Sequence, residues 1–297
     1  MIILNKDSQI LVQGITGREG TFHTRLMMES GTNVVAGVTP GRGGSFIEGI
    51  PVYNTINTAL SKHPQIKMSV IFVPPAQCFD AILEAIDASL QWVIVITEGI
   101  PVKDTLWLVN YARYKRSHII GPNCPGLISP GKTNIGIMPA SAFSLGDIGL
   151  VSRSGTLTYE VGSALKENGF GVSTAIGIGG DPIVGTSLLE VAMMFEADSE
   201  TSAMVLLGEI GGGMEEELAS TMKEGAIAKP VVAFMAGITA PPGKKMGHAG
   251  AILQSGANSA KDKLDLLVAA GAHSAQTPWE IPDVLKKIKQ NSILLSK

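Results

Sequence analysis

The stretch Gln9-Ile-Leu-Val-Gln-Gly-Ile-Thr-Gly-Arg-Glu-Gly20 decides the fold of the first part of the chain. Its apolar start predicts a buried strand, Gln9–Ile15, and the residues after it predict a helix, Thr21–Glu29. Between the two lies a turn with a glycine at every third position, and glycines permit the backbone angles that such a tight connection needs. A strand that passes through a glycine turn into a helix is typical of the first unit of a Rossmann-like fold.

The same order of strand, turn and helix repeats through most of the chain. In the first half, the predicted strands are Gln9–Ile15, Val34–Val38, Val70–Val73, Val93–Thr97 and His118–Ile120, and the predicted helices are Thr21–Glu29, Thr55–Lys62, Phe79–Ser89 and Thr105–Tyr114. After residues 121–146, which are rich in Gly and Pro, strands are predicted at Gly149–Ser152, Ser173–Ile178, Ala203–Gly208 and Val231–Met235, and helices at Leu157–Glu167, Thr186–Phe195, Glu215–Lys223, Ala260–Ala269 and Pro282–Ile288. This alternation predicts an α/β fold with parallel sheets in two domains, residues 1–122 and 123–297.

The composition limits the possible classes of function. The chain has 297 residues, of which 45% are apolar and 16% charged, so it is predicted to be globular and not disordered. A net charge of −3 gives no basic field for nucleic acid, and the apolar runs are too short to cross a membrane. The two cysteines do not suggest a disulfide framework. We expect a cytoplasmic protein, or a mature mitochondrial matrix form that has lost a transit peptide.

The first glycine turn is a candidate phosphate site. Gly14, Gly17 and Gly20 would let backbone N–H groups approach a phosphate at the start of a helix. Their spacing differs from the dinucleotide motif Gly-x-Gly-x-x-Gly, and the loop after the next strand carries Arg42 where that motif requires an acidic residue. A cation at this place suits a phosphorylated ribose, as in NADP or coenzyme A. The alternative is that Arg42 is a mobile surface side chain.

A second phosphate motif is interpreted as a chance match. Gly126-Leu-Ile-Ser-Pro-Gly-Lys-Thr133 fits the P-loop pattern Gly-x-x-x-x-Gly-Lys-Ser/Thr. A P-loop requires a helix directly after it, because the helix dipole stabilises the phosphates. The residues that follow, Asn134–Pro139, predict extended chain instead.

His248 is the candidate nucleophile. It lies in Gly243-Lys-Lys-Met-Gly-His-Ala-Gly-Ala251, where glycines leave room for a bulky anion and Lys244 and Lys245 raise the positive potential. Glu209 follows a predicted strand in the same domain, where its carboxylate could bond one imidazole nitrogen and leave the other free to react. The alternative for His248 is that it lies in an ordinary surface turn. The alternative for Glu209 is that its side chain is simply solvated.

An anion site is also predicted at the start of the helix after Ser152. Ser154, Gly155 and Thr156 would present hydroxyl and backbone N–H groups there, and Ser154 could at the same time cap the helix. The remaining histidines, His23, His63, His118 and His273, are interpreted as structural or solvated. No group of Cys and His residues has the spacing of metal ligands, so no metal site is predicted.

Together, these segments resemble the α subunit of succinyl-CoA synthetase (succinate–CoA ligase) over nearly the whole chain. The segments that carry the resemblance are Gln13-Gly-Ile-Thr-Gly-Arg-Glu-Gly-Thr-Phe-His23, Gly37-Val-Thr-Pro-Gly-Arg-Gly-Gly44, Ile96-Thr-Glu-Gly-Ile-Pro101, Gly121-Pro-Asn-Cys-Pro-Gly126, Ser152-Arg-Ser-Gly-Thr-Leu-Thr-Tyr-Glu160, Gly177-Ile-Gly-Gly-Asp-Pro182, Gly208-Glu-Ile-Gly-Gly212 and Gly247-His-Ala-Gly-Ala-Ile252. So many motifs in one order are a specific signal. The resemblance implies a Rossmann-like CoA-binding domain at residues 1–122 and a flavodoxin-like ligase domain at residues 123–297.

The resemblance also implies roles for individual residues. His248 would be phosphorylated during turnover with Glu209 supporting it, Tyr159 would contact the acyl substrate, and Ser154–Thr156 would hold the phosphate. The residues that would bind CoA are Thr16, Gly17, Arg18, Glu19, Arg42, Ile96, Thr97 and Glu98. Arg42 replaces a lysine of the family, which retains the charge and adds the possibility of a bidentate phosphate contact. We also predict that Cys124 is a free thiol near the CoA sulfur and not a nucleophile.

The implied reaction converts an acid, CoA and a nucleoside triphosphate into acyl-CoA, nucleoside diphosphate and phosphate, through an acyl phosphate and phosphohistidine. For this family the acid is succinate and the reaction belongs to the tricarboxylic acid cycle. We find no convincing nucleotide site in the sequence, so a β subunit would supply it, with Mg²⁺, in an αβ or α2β2 assembly. Related malyl- or citryl-CoA synthetases share most of the motifs. A non-catalytic CoA-binding or CoA-sensing protein would explain the first domain but not His248.

Overall fold

A computed structural model describes residues 6–241, 246–252 and 258–295, with side chains as far as Asn291. The chain divides into two compact units. The N-terminal unit comprises Ile3–Met138 and Ile183–Thr186, and the C-terminal unit consists mainly of Pro139–Pro182 and Ser187–Lys297. Within the described ranges, no helix is long and apolar enough to cross a membrane.

The N-terminal unit is built around a mainly parallel sheet. Its strands are β1 (Ile10–Gln13), β2 (Val34–Val38), β3 (Phe46–Ile47), β4 (Ile50–Tyr53), β5 (Met68–Ile71), β6 (Trp92–Val95) and β7 (His118–Ile120), and its helices are α1 (Arg18–Glu29), α2 (Ile56–Lys62), α3 (Pro75–Asp87) and α4 (Val102–Lys115). The strands lie in the order β3-β4-β2-β1-β5-β6-β7. All neighbours pair in parallel except β3, which pairs antiparallel with β4 at the edge.

Without the short β3, this strand order is that of the Rossmann fold, 3-2-1-4-5-6. The order reverses between β1 and β5, where successive connections leave toward opposite edges of the sheet. In such sheets the ligand crevice lies outside the carboxyl ends of the strands at this switch point. The register places Gln13 beside Val38 on one side and beside Ile71 on the other, so three strands end together there.

The glycine turn after β1 has the tight geometry that its sequence predicts. Gly14 has a φ of +79°, in the left-handed region that favours glycine. A Cβ on Gly20 would lie 2.2 Å from the carbonyl oxygen of Gly14, so only glycine lets α1 pack this closely on the turn. Beneath the turn the strands are apolar on both faces, since Ile10, Leu11 and Val12 are fully buried. The turn therefore rests on a rigid core.

The connection between the units contains a feature that the sequence did not reveal. Two antiparallel strands, β8 (Gly126–Ser129) and β9 (Thr133–Gly136), form a hairpin within the Gly- and Pro-rich stretch. A Cβ on Gly126 would lie 2.0 Å from the carbonyl oxygen of Ile135, so the glycine permits the close approach of the two strands. The hairpin belongs to the N-terminal unit.

The C-terminal unit contains a second parallel sheet. Its strands are β10 (Leu145–Ser152), β11 (Val172–Gly177), β12 (Ala203–Glu209), β13 (Val231–Ala236) and β14 (His273–Ser274), and its helices are α5 (Gly155–Glu167), α6 (Leu188–Ala197), α7 (Met214–Lys223), α8 (Ala260–Ala269) and α9 (Ile281–Leu295). These strands lie in the order β14-β13-β12-β10-β11 and pair in parallel. This is the flavodoxin-like order 2-1-3-4-5, with its switch point between β10 and β12. The predicted fold class is confirmed.

Candidate active site

The switch point of the C-terminal sheet brings together the two residues predicted for catalysis. Glu209 is the last residue of β12, and the His248 loop lies over the same edge. The Nδ1 atom of His248 lies 2.8 Å from the Oε2 atom of Glu209. An ionised carboxylate only accepts hydrogen bonds, so Nδ1 carries the proton and Nε2 keeps the lone pair. Nε2 is thus the ring nitrogen that remains available as an acceptor or nucleophile.

Glycines hold the His248 loop against the edge of the sheet. A Cβ on Gly180 would lie 2.3 Å from Cγ of His248, so the imidazole packs directly on the Gly180 backbone. The backbone N–H of Gly250 donates to the carbonyl of Gly180 at 3.0 Å. A Cβ on Gly211 would meet the carbonyl oxygen of Gly250 at 2.2 Å. The close packing of this loop therefore depends on Gly180 and Gly211 at the sheet edge, whereas Gly247 within the loop has a φ of +80° and open space at its Cβ position.

A buried cluster of charges lies behind Glu209, and the sequence did not reveal it. Its members are Arg153, Glu215 and Lys263, which are 2%, 0% and 1% exposed. Arg153 forms ion pairs with Glu209, at 3.3 Å, and with Glu215, at 3.1 Å. Lys263 forms an ion pair with the other oxygen of Glu215, at 2.6 Å. The one local signal for Arg153 was its place in the motif Ser152-Arg-Ser-Gly155. Glu215 and Lys263 lie on helices that are far from this motif in the sequence.

The pKa of His248 is raised from its ordinary value. The hydrogen bond that Nδ1 of His248 donates to Glu209 is the largest cause, and the charges of Glu209 and Asp181 act in the same direction. Burial and the positive charge of Arg153 lower the pKa of His248 and partly oppose this rise. Phosphoryl transfer to the ring requires the neutral form. The pKa of His248 therefore depends first on Glu209 and on burial, and to a smaller extent on Arg153.

The predicted anion site lies at the start of α5. Ser154 caps this helix, because its side chain accepts a hydrogen bond from the backbone N–H of Leu157 at 3.4 Å. Gly155 and Thr156 form the first turn, where free N–H groups and the helix dipole favour an anion. Tyr159 follows in the next turn and is half-buried. Lys244 and Lys245, predicted to flank His248, lie outside the described residues.

The carboxyl edge of the N-terminal sheet contains a cavity of about 500 Å³. Four of the residues predicted to bind CoA line it, namely Glu19, Ile96, Thr97 and Glu98. Thr97 is fixed by a hydrogen bond from its hydroxyl to the carbonyl of Val73 at 2.7 Å. Phe72 and Ile137 add apolar surface. The cavity suits a long, partly apolar ligand with polar groups along its length.

The other four predicted CoA residues do not line this cavity. Gly17 is the N-cap of α1, and Arg18 after it is 96% exposed on its side chain. The hydroxyl of Thr16 bonds to that of Thr39 at 3.2 Å. Arg42 lies exposed on the loop after β2. These residues surround the helix start and the adjacent loop, which is where a phosphate group would lie.

His23 occupies a different environment from the one the sequence suggested. It lines the cavity, and its imidazole stacks on Phe72 with ring centroids 5.6 Å apart. Burial lowers its pKa, against the charge of Glu19 at 3.6 Å. Its Nδ1 atom is buried without a hydrogen-bond partner among the described residues. His23 is therefore a cavity residue whose lowered pKa favours the neutral form. The sequence signal for its place in the cavity was its position one helical turn after Glu19 in α1.

Further along this edge, a second cavity of about 460 Å³ adjoins the glycine turn. Gly14, Thr39 and Pro40 line it on one side, and Gln77 and Asp80 of α3 line it on the other. Val73 lines both cavities, so they lie next to each other at the switch point. The crevice that a Rossmann fold uses for a nucleotide is thus open on both sides of β1.

Two further predictions concern the connection between the units. Cys124 is buried and forms no disulfide, and its Sγ donates to the carbonyl of Val95 at 3.2 Å. The P-loop-like segment forms the β8–β9 hairpin, with Thr133 buried in β9. Since a strand and not a helix directly follows Lys132, the segment lacks the geometry of a P-loop. In the described parts of the chain, no group of three or more His, Cys, Asp or Glu residues could hold a metal ion.

The profiles of two protein families match this chain. A family described as CoA binding domain matches residues 5–99, and a family described as CoA-ligase matches residues 151–273. The first match covers the strands around the two cavities, and the second covers the sheet that carries Glu209 and His248.

Curated relatives extend these matches over the whole chain. The succinate–CoA ligase (ADP-forming) subunit alpha of Aquifex aeolicus is 52% identical over 97% of this chain and 94% of its own length. The chain belongs to the succinate–CoA ligase alpha-subunit family. Subunit alpha 2 of the Archaeoglobus fulgidus enzyme is 50% identical over 97% of this chain and 99% of its own length. The resemblance identified from the sequence motifs is confirmed.

Solved structures support the fold of this alpha-subunit family member. ATP citrate lyase from Methanothrix soehngenii, solved with citrate and coenzyme A, superposes with a TM-score of 0.90 at 24% identity. The superposition covers 99% of this chain and 52% of the lyase chain, so the present chain spans about half of that protein. Acetyl-coenzyme A synthetase 1 from Ca. Korarchaeum cryptofilum superposes with a TM-score of 0.74 at 20% identity, covering 91% of this chain and 58% of that chain.

Proposed function

We propose that this chain is the catalytic α subunit of a succinate–CoA ligase, in which His248 carries the phosphoryl group. The enzyme would convert succinate, CoA and a nucleoside triphosphate reversibly into succinyl-CoA, nucleoside diphosphate and phosphate. The observation that carries the proposal is the 2.8 Å contact between Nδ1 of His248 and Oε2 of Glu209 at the switch point of the C-terminal sheet. Membership of the succinate–CoA ligase alpha-subunit family supports the choice of reaction.

The phosphoryl transfer can be written from the geometry of this pair. In the direction of thioester cleavage, phosphate displaces CoA from succinyl-CoA and gives succinyl phosphate. Nε2 of His248 then attacks phosphorus, the P–O bond to succinate breaks, and succinate leaves as a carboxylate. Glu209 accepts the hydrogen bond from Nδ1 and stabilises the positive charge that develops on the ring. Finally the phosphoryl group passes from Nε2 to the nucleoside diphosphate, and His248 returns to its neutral form.

For the N-terminal unit we propose a CoA site at the switch point between β1 and β5. The residues proposed to bind CoA are Thr16, Gly17, Arg18, Glu19, Arg42, Ile96, Thr97 and Glu98. The glycine turn and Arg42 would hold phosphate groups, and the cavity lined by Ile96–Glu98 would hold the uncharged arm. Cys124 would lie near the CoA thiol. We keep residues 1–122 and 123–297 as the proposed functional division, since the two family matches fall on either side of it.

For the C-terminal unit we propose that Ser154, Gly155 and Thr156 hold the phosphoryl group on His248. The free N–H groups at the start of α5 support this, because they favour a dianion. Tyr159, one turn further along the helix, is proposed to contact the acyl group. The sequence leaves malate and citrate as alternatives to succinate, which assays with each acid separate directly.

A partner subunit completes this proposal. Relatives of this chain are named as alpha subunits, which implies a β partner. We propose that the β subunit binds the nucleoside triphosphate with Mg²⁺, in an αβ or α2β2 assembly. The β8–β9 hairpin supports this indirectly, since it removes the P-loop-like segment as a nucleotide site. From composition we further propose a cytoplasmic location.

The test is the position of acid-labile phosphate. The chain and its β subunit are incubated with labelled nucleoside triphosphate and Mg²⁺, and the phosphorylated residue is located by mass spectrometry. We expect His248 to carry the label, and His248→Asn to lose both label and turnover while CoA still binds. His273→Asn, an exposed histidine of β14, is the matched control and should behave as the wild type. Label on any other histidine, or full activity of His248→Asn, contradicts the proposal.

A further inference from the structure

The buried charges behind Glu209 have no role in the mechanism so far. Arg153 follows β10, Glu215 lies in the first turn of α7, and Lys263 lies in the first turn of α8. Each is at least 98% buried. Burial of so many charges costs free energy unless every charge is paired, and such a cluster does not by itself stabilise a fold better than apolar residues. A function in positioning Glu209 and His248 would explain why this costly cluster of buried charges is present.

The first line of support is the geometry of Glu209. Its Oε2 oxygen bonds to His248, while its Oε1 oxygen is buried and has no hydrogen-bond donor among the described residues. The nearest opposite charge is the Nη2 atom of Arg153, 3.3 Å away. Burying a carboxylate costs less free energy when an opposite charge lies next to it. Arg153 contacts the Oε1 oxygen of Glu209, which leaves Oε2 for the imidazole of His248.

The second line of support is the turn after β12. Nη1 of Arg153 and Nζ of Lys263 both donate to the carbonyl of Gly211, at 2.8 Å and 2.9 Å. Lys263 also donates to the carbonyl of Gly212 at 2.9 Å. Both glycines have positive φ, which turns their carbonyls inward toward the two cations. Because Gly211 packs against Gly250, the cations also fix the surface on which the His248 loop lies.

Glu215 joins the two cations. Its Oε1 accepts from Arg153 at 3.1 Å and its Oε2 accepts from Lys263 at 2.6 Å. The Oε1 atom also accepts from the backbone N–H of Glu209 at 3.3 Å. With His248 neutral, the two cations of the cluster thus face two buried carboxylates. The partly exposed Glu216, 3.5 Å from Lys263, is an additional anion at the edge of the cluster. The carboxylate of Glu215 thus contacts both cations and the backbone at the end of β12.

We propose that Arg153, Glu215 and Lys263 are positioning residues for His248, which hold Glu209 and the Gly211–Gly212 turn in the geometry that phosphoryl transfer requires. The proposal rests on the proposed phosphohistidine step. The charged groups that face His248 are Glu209 from β12, Arg153 after β10 and Asp181 after β11. Glu215 and Lys263 lie behind Glu209, and Lys244 and Lys245 lie outside the described residues.

The main test replaces Arg153 by Gln. With the cation removed, the pull of Glu209 on the His248 proton is no longer opposed, so the pKa of His248 should rise. The pH at which phosphorylation reaches half its maximum should move upward, and the maximal rate should fall about tenfold to a hundredfold, the size of effect seen when residues behind a reactive ligand are changed. The first readout is a titration of the full chain labelled with ¹⁵N-histidine. The second is single-turnover phosphorylation with the β subunit.

These readouts separate the possible failures. The titration measures the protonation of His248 whether or not that residue is phosphorylated, so it tests the positioning role independently of the proposed function. A merely structural cluster would lower thermal stability and leave the His248 titration and the pH profile unchanged, which would overturn the proposal. Lys289→Met, which removes an exposed ion pair with Asp147 in the same unit, is the matched control and should change neither readout.

Two further variants keep the test decisive if Arg153→Gln does not fold. Arg153→Lys keeps the positive charge but loses the planar guanidinium, which contacts Glu209, Gly211 and Glu215. It should preserve the pKa of His248 better than the Gln variant, while the rate falls by a smaller factor. The paired replacement Glu215→Gln with Lys263→Met removes one charge of each sign, so it preserves neutrality. It should slow phosphorylation in a folded chain, and unchanged phosphorylation in both variants overturns the proposal.

Discussion

At the scale of single residues, the site depends on the position and charge of one imidazole. Glu209 raises the pKa of His248, while burial and Arg153 lower it. The sequence predicted the Glu209–His248 pair because a residue at the end of a parallel strand has a defined place at the sheet edge. It did not predict Glu215 or Lys263, because helix positions that are brought together only by tertiary packing leave no local pattern.

The first prediction concerns the pH dependence of phosphorylation. In the proposed step only neutral His248 accepts a phosphoryl group, so the rate should rise with pH and level off above the raised pKa of His248. Glu209→Gln removes the main cause of that rise, so the midpoint should move to lower pH. The maximal rate should also fall, on the order of a hundredfold, because the charge that develops on the ring loses its partner. Rapid-quench measurements between about pH 5 and pH 9, spanning the ordinary pKa of histidine, give both quantities.

This prediction is opposite in direction to the one for Arg153→Gln, although both variants should be slower. A midpoint that stays in place or moves upward in Glu209→Gln would contradict the assignment of Glu209 as the hydrogen-bond partner. The CoA affinity of the variant, measured by calorimetry, serves as the control for folding, since the CoA-binding match lies in the other unit.

The second prediction concerns the glycine beneath the imidazole. In Gly180→Ala the new Cβ would lie 2.3 Å from Cγ of His248, so the ring must move. A displacement of about 1 Å at a reacting group can cost on the order of a hundredfold in rate, and we expect a loss of that size in phosphorylation. Gly213→Ala is the matched control, because nothing lies within 4 Å of its Cβ position. Equal phosphorylation rates in the two variants would contradict the packing of His248 on Gly180.

At the scale of secondary-structure elements, the main parallel strands of both sheets followed from the sequence, but the two-residue edge strand β14 did not. Buried strands are continuous apolar runs, and glycine turns mark their carboxyl ends, so the fold class and the switch-point sites were predictable. The β3–β4 and β8–β9 hairpins were not predicted, because short antiparallel strands in a stretch rich in Gly and Pro have no clear alternation. The second hairpin explains why a P-loop-like sequence can occur here without a P-loop.

The third prediction concerns the loop after β2. Arg42 is exposed there and close in sequence to Pro40, which lines the cavity beside Gly14. Arg42→Glu would place a negative charge where we propose a phosphate group. CoA binding should weaken by about 1–3 kcal/mol, the scale of a charge-assisted hydrogen bond. Calorimetry with CoA and with CoA lacking the ribose phosphate measures the effect and shows which phosphate Arg42 contacts.

The control for this experiment is Lys62→Glu, which makes the same change of charge at the exposed end of α2. An equal loss of affinity in both variants would show that only the net charge matters. Unchanged CoA affinity in Arg42→Glu would remove Arg42 from the site, and NAD binding with comparable affinity would remove the CoA assignment.

At the scale of the whole molecule, we propose that the two units divide the chemistry. Each is a parallel sheet with its own switch point, and each switch point holds one part of the predicted machinery. The family matches follow the same division. The sequence analysis placed a boundary after residue 122 because the alternation lapses there, whereas the compact N-terminal unit continues to Met138. The sequence also predicted that no helix directly follows the P-loop-like segment at residues 126–133, and the β8–β9 hairpin confirms this.

The last prediction concerns the proposed location of the nucleotide site on the β subunit. The chain alone should bind CoA but should not become labelled by a nucleoside triphosphate with Mg²⁺, because the phosphoryl donor is proposed to bind on the β subunit. Adding the β subunit should restore labelling of His248 and give formation of succinyl-CoA that depends on succinate. Lys132→Met should not change either result, since Lys132 lies in the β8–β9 hairpin. Labelling of the chain without its partner, or loss of labelling in Lys132→Met with normal CoA binding, would place a nucleotide site on this chain and contradict the proposed division of labour.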